Sequence, residues 1–220
     1  GRAGTEEPVL FTVREDFSLG SSSNAWGPVN VNADWNVLVA NGKTLNVYGA
    51  LNSSRRTITV GGEGFSGTLV LNNAANASMT AEWVITSGST VRCMNNSALG
   101  SGLVTLDGGT LDFNSQTIGS TITLNMSGTG TLQNVTVDGA ILSYTSSSGN
   151  DGITASNTTW TSGKIDIGRL LQGFSAEGSN TVDLGAELGE GFSVLGLDTG
   201  QYRIEGSVLT IEDGAISSVT

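Results

Sequence analysis

The fold of this chain follows from one stretch of its sequence, Asn96-Ser-Ala-Leu-Gly-Ser-Gly-Leu-Val-Thr-Leu-Asp-Gly-Gly-Thr-Leu-Asp-Phe-Asn114. The stretch contains two short segments in which apolar and polar residues alternate, and a Gly-Gly pair separates them. Alternation with a period of two is typical of β-strands that bury one face. The stretch therefore predicts two strands joined by a tight turn.

This stretch is one copy of a repeat. Its Gly109-Thr-Leu111 aligns with Gly67-Thr-Leu69, Ser89-Thr-Val91 and Gly130-Thr-Leu132. The threonines of these four tripeptides are 22, 20 and 21 residues apart along the chain. A near-constant period of this size indicates a stacked architecture in which each unit contacts only its neighbours.

Each unit carries two strands rich in β-branched residues, as in Leu103-Val-Thr-Leu106 and Thr110-Leu-Asp-Phe113. Two strands in about 21 residues fit one turn of a coil, in which strands of successive turns lie about 4.8 Å apart and pair in parallel. We therefore predict an all-β fold, a right-handed parallel β-helix or solenoid with atypical capping ends. The predicted hand follows from the right-handed crossovers that connect parallel strands.

The regularity of the repeat divides the chain into three parts of one continuous domain. Residues 1–60 carry less regularly spaced strands, and we interpret them as an N-terminal cap and the first turns. Residues 61–184 are predicted to be β-helix repeats of about 21 residues. Residues 185–220 are predicted to be C-terminal closing strands, either as further turns or as a meander. Atypical ends are expected because an open β-helix would expose strand edges and core.

Composition excludes several functional classes. The net charge is −11, and nine Lys and Arg residues cannot supply the basic field that nucleic acid or anionic lipid requires. The absence of His excludes Ser-His-Asp and Cys-His nucleophile systems. The single cysteine, Cys93, is predicted to face the core as a small apolar side chain. We expect no cofactor, no metal and no membrane insertion by this segment, since no apolar run reaches the length of a membrane span.

Catalysis by paired carboxylates needs no histidine and is the alternative to a structural role. Asp107 and Asp112 flank the Gly-Gly turn of the repeat. Acidic residues beside turns are ordinarily solvated, and no local signature surrounds either of these two. We therefore predict a protein that is not an enzyme, with a carbohydrate-active β-helix enzyme or a glycan-binding module as the alternatives.

Five residues are candidates for ligand binding. Alternation across residues 29–37 would place Asn30, Asn32 and Asp34 on one face of a single strand, where their oxygens could bind a cation or a sugar. A solvated or hydrogen-bonded polar face is the more common outcome of such a pattern. Trp26 and Trp160 have polar neighbours, and exposed rings of this kind can stack on sugars.

The two other tryptophans, Trp35 and Trp83, alternate in phase with apolar neighbours. This phase predicts that both side chains belong to the core. Packing within a cap or a turn is also the more common role for Trp26 and Trp160.

The ordered series Gly67-Thr-Leu-Val-Leu-Asn72, Ser87-Gly-Ser-Thr-Val91, Asn96-Ser-Ala-Leu-Gly-Ser-Gly102 and Gly108-Gly-Thr-Leu-Asp112 resembles a known repeat. It is similar to the passenger-associated β-strand repeat of bacterial autotransporters and related large surface proteins, over residues 60–118. The resemblance implies an exported passenger or stalk that is extracellular or on the bacterial cell surface. We expect a monomer with a structural or adhesive role, and host glycans or surface proteins as its partners.

Overall fold

A computed structural model describes residues 7–25, 27–73, 75–119 and 121–145, and then the strands within 153–219. Side chains are described only within the first 140 residues. Nearly all of the described chain is β-strand, and the strands of the main sheet pair in parallel. The chain is therefore a parallel β-helix, as predicted. The right-handed sense of its coil stays a prediction.

Among the described residues, six strands lie before residue 61, and one 3-10 helix interrupts the strands that follow. The first strands are β1 Val9–Val13, β2 Phe17–Leu19, β3 Val29–Val31, β4 Trp35–Val39, β5 Thr44–Val47 and β6 Leu51–Val60. Then come β7 Thr68–Leu71, the 3-10 helix Ala75–Ser78, β8 Thr80–Thr86, β9 Thr90–Cys93, β10 Leu103–Gly119 and β11 Thr123–Thr145. The last are β12 Ile153–Asp166, β13 Ser175–Glu177, β14 Thr181–Val182, β15 Phe192–Leu195, β16 Gly200–Ile204, β17 Ser207–Glu212 and β18 Ala215–Val219.

The strands stack in three columns along the helix. The first column contains β1, β4, the second half of β6, β8 and the beginnings of β10 and β11. The second contains β2, β5, β7 and β9, followed by segments of β10, β11 and β12 and by β13. The third begins with β3 and the first half of β6 and resumes in later segments of β10, β11 and β12. The long strands therefore bend around corners and join more than one column.

The second column confirms the repeat alignment. Leu69, Val91, Leu111 and Leu132 are successive partners across parallel strands, and none is more than 3% exposed. Leu45 adds one further turn to this stack. A half-buried threonine precedes each of the five residues on the outer face. The predicted division into an inner and an outer face is therefore correct in this column.

The close approach of the preceding turn explains why the Gly-Thr-Leu repeat begins with glycine. At Gly67, Gly109 and Gly130, a Cβ atom would lie 2.4 Å from a carbonyl oxygen of the preceding turn. Only glycine lacks this atom, so the backbones of neighbouring turns can approach closely at this corner. Ser89 occupies the equivalent place in one turn, where it is fully buried and its hydroxyl donates to the carbonyl oxygen of Phe65 at 3.2 Å.

The core fills the space between the columns and contains the predicted aromatic side chains. Trp83 is fully buried, and its indole Nε1 donates to the carbonyl oxygen of Leu99 at 3.0 Å. Trp35 is partly buried against the same core. Cys93 faces inward and is fully buried, which confirms its predicted place. Burial raises the pKa of the Cys93 thiol well above its usual range, so the group stays protonated.

The columns run through the predicted boundary at residue 60. Strands β1, β2, β4 and β5 and the second half of β6 already pair in the first two columns, and β3 pairs with the first half of β6 in the third, so these strands contribute turns of the helix. At the other end, β15 pairs with β12 in parallel. Strands β16, β17 and β18 form a three-stranded antiparallel sheet instead, so a meander follows the last described parallel strand.

Candidate functional site

A cluster of polar groups surrounds Asp112 on the outer side of the second column. The Asp112 side chain is only 1% exposed. Its Oδ2 accepts a hydrogen bond from Arg92 Nε at 2.9 Å. Its Oδ1 accepts bonds from the main-chain N–H of Asn114 at 2.8 Å and from Asn134 Nδ2 at 2.9 Å. Both carboxylate oxygens are therefore engaged within the protein.

The stacking of turns assembles this cluster. Asp112 is in register with Arg92 on one neighbouring turn and with Gln133 on the other. Asn114 and Asn134 lie at the corner that follows, where φ is +49° and +54°. Asparagine tolerates this left-handed conformation better than most residues because its short side chain can bond locally. One carboxylate thus connects three consecutive turns.

Two opposing effects set the charge of Asp112. Burial acts to raise the pKa of its carboxyl group, but hydrogen bonds from Asn134, Asn114, Arg92 and Gln133 together lower this pKa below its ordinary value. The group is therefore a fixed anion at neutral pH. A carboxylate held in this way is unsuited to act as a general acid or as a nucleophile.

This finding corrects the expectation that Asp112 is an ordinary solvated residue beside a turn. Its position does point outward, but Arg92 and Asn134 of the adjacent turns cover it. Asp107, its proposed catalytic partner, is exposed. Asp107 is therefore free to contact a substrate, but Asp112 is not.

The predicted oxygen row does not lie on a single strand. Strand β3 ends at Val31 and β4 begins at Trp35, so the chain turns a corner between them. Asn52 Nδ2 donates to Asn30 Oδ1 at 3.1 Å, and the N–H of Thr57 donates to Asp34 Oδ1 at 3.0 Å. Two members of the row thus bond to the next turn. The third member, Asn32, is exposed.

The two tryptophan candidates stay predictions. Trp26 lies outside the described residues. Trp160 lies in β12, in register with Val137 on one side and Val182 on the other. Its backbone therefore belongs to the third column, and its side chain lies outside the described part of the chain.

A groove that the sequence did not predict lies at the N-terminal end of the helix. It has a volume of about 340 Å³ and is lined by residues 11–17. Lys43 Nζ lies 2.8 Å from Glu15 Oε2, and this hydrogen bond raises the pKa of Lys43. Asp16 Oδ1 accepts a bond from the N–H of Thr44 at 2.8 Å. The acidic groups of the groove wall are thus partly engaged with the second turn.

The first turn also exposes apolar side chains. Val9, Leu10 and Phe17 are 46%, 63% and 48% exposed. They belong to β1 and β2, which pair on one side only among the described strands. A small apolar cavity of about 40 Å³ lies among core side chains of the first turns, and its lining includes Phe11 and Trp35. The only advance signal for this surface was the general expectation that an open end exposes core.

The Asp112 cluster, in contrast, had a signal in the sequence. Arg92, Asp112 and Gln133 each stand two residues after a repeat threonine. Aligning the polar positions of the repeats, and not only the apolar ones, would have placed these three residues side by side.

Comparison with known proteins adds no further information about this site. No protein-family model, curated protein or solved structure matches the chain. Within the described residues, no three His, Cys, Asp or Glu side chains form a group that could hold a metal ion. No helix in the same residues has the length and apolar character needed to span a membrane.

Proposed function

We propose that this chain is a non-catalytic β-helical passenger or stalk segment of an exported bacterial surface protein, with a structural or adhesive role. The observation that carries this proposal is the second column, which continues without interruption from β2 to β13. A column of this kind makes a rod whose length grows by one strand spacing, about 4.8 Å, with every turn.

The interior of the rod supports a mechanical role. Each turn adds one apolar residue to the inner stack, as Leu69, Val91 and Leu111 do. Backbone N–H and C=O groups in the middle of the stack bond to the turns on both sides, so no turn relies on distant parts of the chain. The Asp112 cluster adds side-chain bonds between turns. Such a rod can hold another domain away from a surface without hinging.

The outer face supports binding of neutral polar partners. Half-buried threonines lie along the outer face of the second column, and the chain has few charged residues. Host glycans or neighbouring surface proteins are the proposed partners, with Asn30, Asn32, Asp34, Trp26 and Trp160 as candidate contacts. The proposed location is extracellular or on the bacterial cell surface.

Single-molecule force spectroscopy tests the stalk role. The segment is stretched between two handles, and its extension is recorded under rising force. We expect unravelling in steps, since each released turn of about 21 residues adds roughly 70 Å of extended chain. Extension at low force without discrete steps would contradict a mechanical role.

A glycan array and a reducing-sugar release assay test the binding role and the absence of catalysis. We expect weak binding to host-type glycans and no release of sugar from mucins or plant polysaccharides. Release of product that disappears in Asp107→Asn would favour the carbohydrate-active enzyme instead. Labelling of intact bacteria by an antibody against the segment tests the location, and labelling only after permeabilisation would refute it.

A further inference from the structure

We propose that Asn41 and Gly42 form a site of spontaneous self-modification, at which the main-chain nitrogen of Gly42 attacks the side-chain amide of Asn41. The two residues are exposed at the turn between β4 and β5. The N–H of Lys43 donates to the carbonyl oxygen of Ala40 at 2.9 Å and closes this turn. No other asparagine of the chain is followed by glycine.

The nucleophile is accessible. Gly42 has a φ of +69°, and a Cβ atom placed on it would meet nothing within 4 Å. Asn41 and Gly42 are both exposed, so the pair lies at the surface of the turn, where a new ring would face solvent. Within the described residues, the N–H of Gly42 donates no hydrogen bond that the attack would have to break.

The electrophile is held and polarised by the neighbouring turn. The main-chain N–H of Ser66 donates to Asn41 Oδ1 at 2.9 Å. Negative charge develops on this oxygen when the carbon next to it is attacked, and a donor aimed at such an oxygen stabilises the transition state. Ser66 thus supplies a one-donor oxyanion site.

The reaction needs no external oxidant or enzyme. A bond forms between Gly42 N and Asn41 Cγ, the bond from Cγ to Nδ2 breaks, and Nδ2 leaves as ammonia with the displaced proton. Water then opens one of the two carbonyl groups of the resulting succinimide. Opening on one side leaves aspartate at position 41, and opening on the other leaves isoaspartate, which routes the main chain through the side-chain carbon.

The two products differ in their effect on the fold. Aspartate retains an oxygen that can accept from Ser66 and adds one negative charge to the turn. Isoaspartate inserts one extra carbon into the main chain between β4 and β5 and displaces the oxygen that faced Ser66. We therefore expect the isoaspartate form to unfold at a lower denaturant concentration than the aspartate form.

The test is incubation of the folded protein at mildly alkaline pH, followed by peptide mapping with mass spectrometry. We expect a mass gain of one dalton and isoaspartate at Asn41, while Asn46, which lies in β5 and precedes Val47, keeps its amide. Gly42→Ala should slow the reaction. An unchanged Asn41, or equal conversion at Asn46, would overturn the proposal.

A rate comparison tests the part played by Ser66. A synthetic peptide of residues 38–45 has the Asn-Gly pair without the neighbouring turn. We expect the folded protein to react at least as fast as this peptide, and Ser66→Pro, which removes the N–H donor, to react more slowly than the folded wild type. A folded protein slower than the peptide would overturn the oxyanion site, even if Ser66→Pro fails to fold.

Discussion

The side chain of Asn76 accepts a hydrogen bond from the main chain of Leu51, with 2.7 Å between Asn76 Oδ1 and Leu51 N. Its Nδ2 donates to the carbonyl oxygen of Ala98 at 2.8 Å. Asn76 is 1% exposed and lies in the 3-10 helix Ala75–Ser78. One buried amide therefore joins three turns at a place where a 3-10 helix replaces a strand.

Replacing Asn76 with alanine should destabilise the helix strongly. The change leaves the N–H of Leu51 and the carbonyl of Ala98 without these partners, and each buried unsatisfied group costs about 1–3 kcal/mol. Urea denaturation followed by circular dichroism measures the loss. Asn32→Ala is the matched control, because Asn32 is exposed and its replacement should change the unfolding free energy by less than about 0.5 kcal/mol. Similar losses in both variants would refute the role of the buried amide.

Leu111→Ala should lower the unfolding free energy by about 2–5 kcal/mol, because it removes a fully buried side chain and leaves a void between turns. Leu103→Ala is the control, because the Leu103 side chain is 36% exposed and lies outside the core. Leu103→Ala should cost much less. Equal shifts of the denaturation midpoint would mean that the inner stack contributes no more than the surface.

Asp112→Asn should destabilise the protein by roughly 1.5–3 kcal/mol, the range for hydrogen bonds to charged groups. The substitution removes the charge that Arg92, Asn114 and Asn134 surround. Asp107→Asn makes the same change of charge at an exposed position and should be nearly neutral. If the two variants denature at the same urea concentration, the cluster does not contribute to stability.

The Asp112 cluster should also make stability depend on pH in the acid range. The pKa of Asp112 is lower in the folded protein than in the unfolded chain, where it is about 3.9. As the pH falls, the carboxylate of Asp112 is protonated in the unfolded chain before it is protonated in the folded protein. The contribution of Asp112 to the unfolding free energy is therefore complete above about pH 5 and is lost as the pH falls through the folded-state pKa. Thermal unfolding of the wild type and Asp112→Asn from neutral to acid pH should show a smaller acid-induced loss in the variant. Parallel curves would exclude Asp112 as a source of acid sensitivity.

Gly109→Ala should destabilise the helix by about 1–3 kcal/mol or more, because its Cβ would lie 2.4 Å from the carbonyl oxygen of Ile85 and force the turns apart. Gly27→Ala is the control, since a Cβ there meets nothing within 4 Å. Differential scanning calorimetry compares the two. An unchanged melting temperature in Gly109→Ala would refute the steric explanation of the repeat glycine.

The sequence could predict the elements that depend on near neighbours along the chain. Alternation assigned Leu69, Val91, Leu111 and Leu132 to the inner face, and the spacing of about 21 residues placed them in one stack. The candidate row of Asn30, Asn32 and Asp34 was less accurate, because alternation alone does not show where a strand ends at a corner of the coil. The 3-10 helix Ala75–Ser78 had no local signal either.

By itself the sequence determined the parallel coil, its period and its inner stack, because each repeat unit contains the apolar alternation and recurs at a near-constant spacing. Tertiary structure alone decided the environment of Asp112. Its position faces outward by alternation, yet Arg92 and Asn134, 20 and 22 residues away along the chain, cover it from the adjacent turns. Burial of a charged group depends on what the neighbouring turns supply, and that juxtaposition exists only once the turns have stacked.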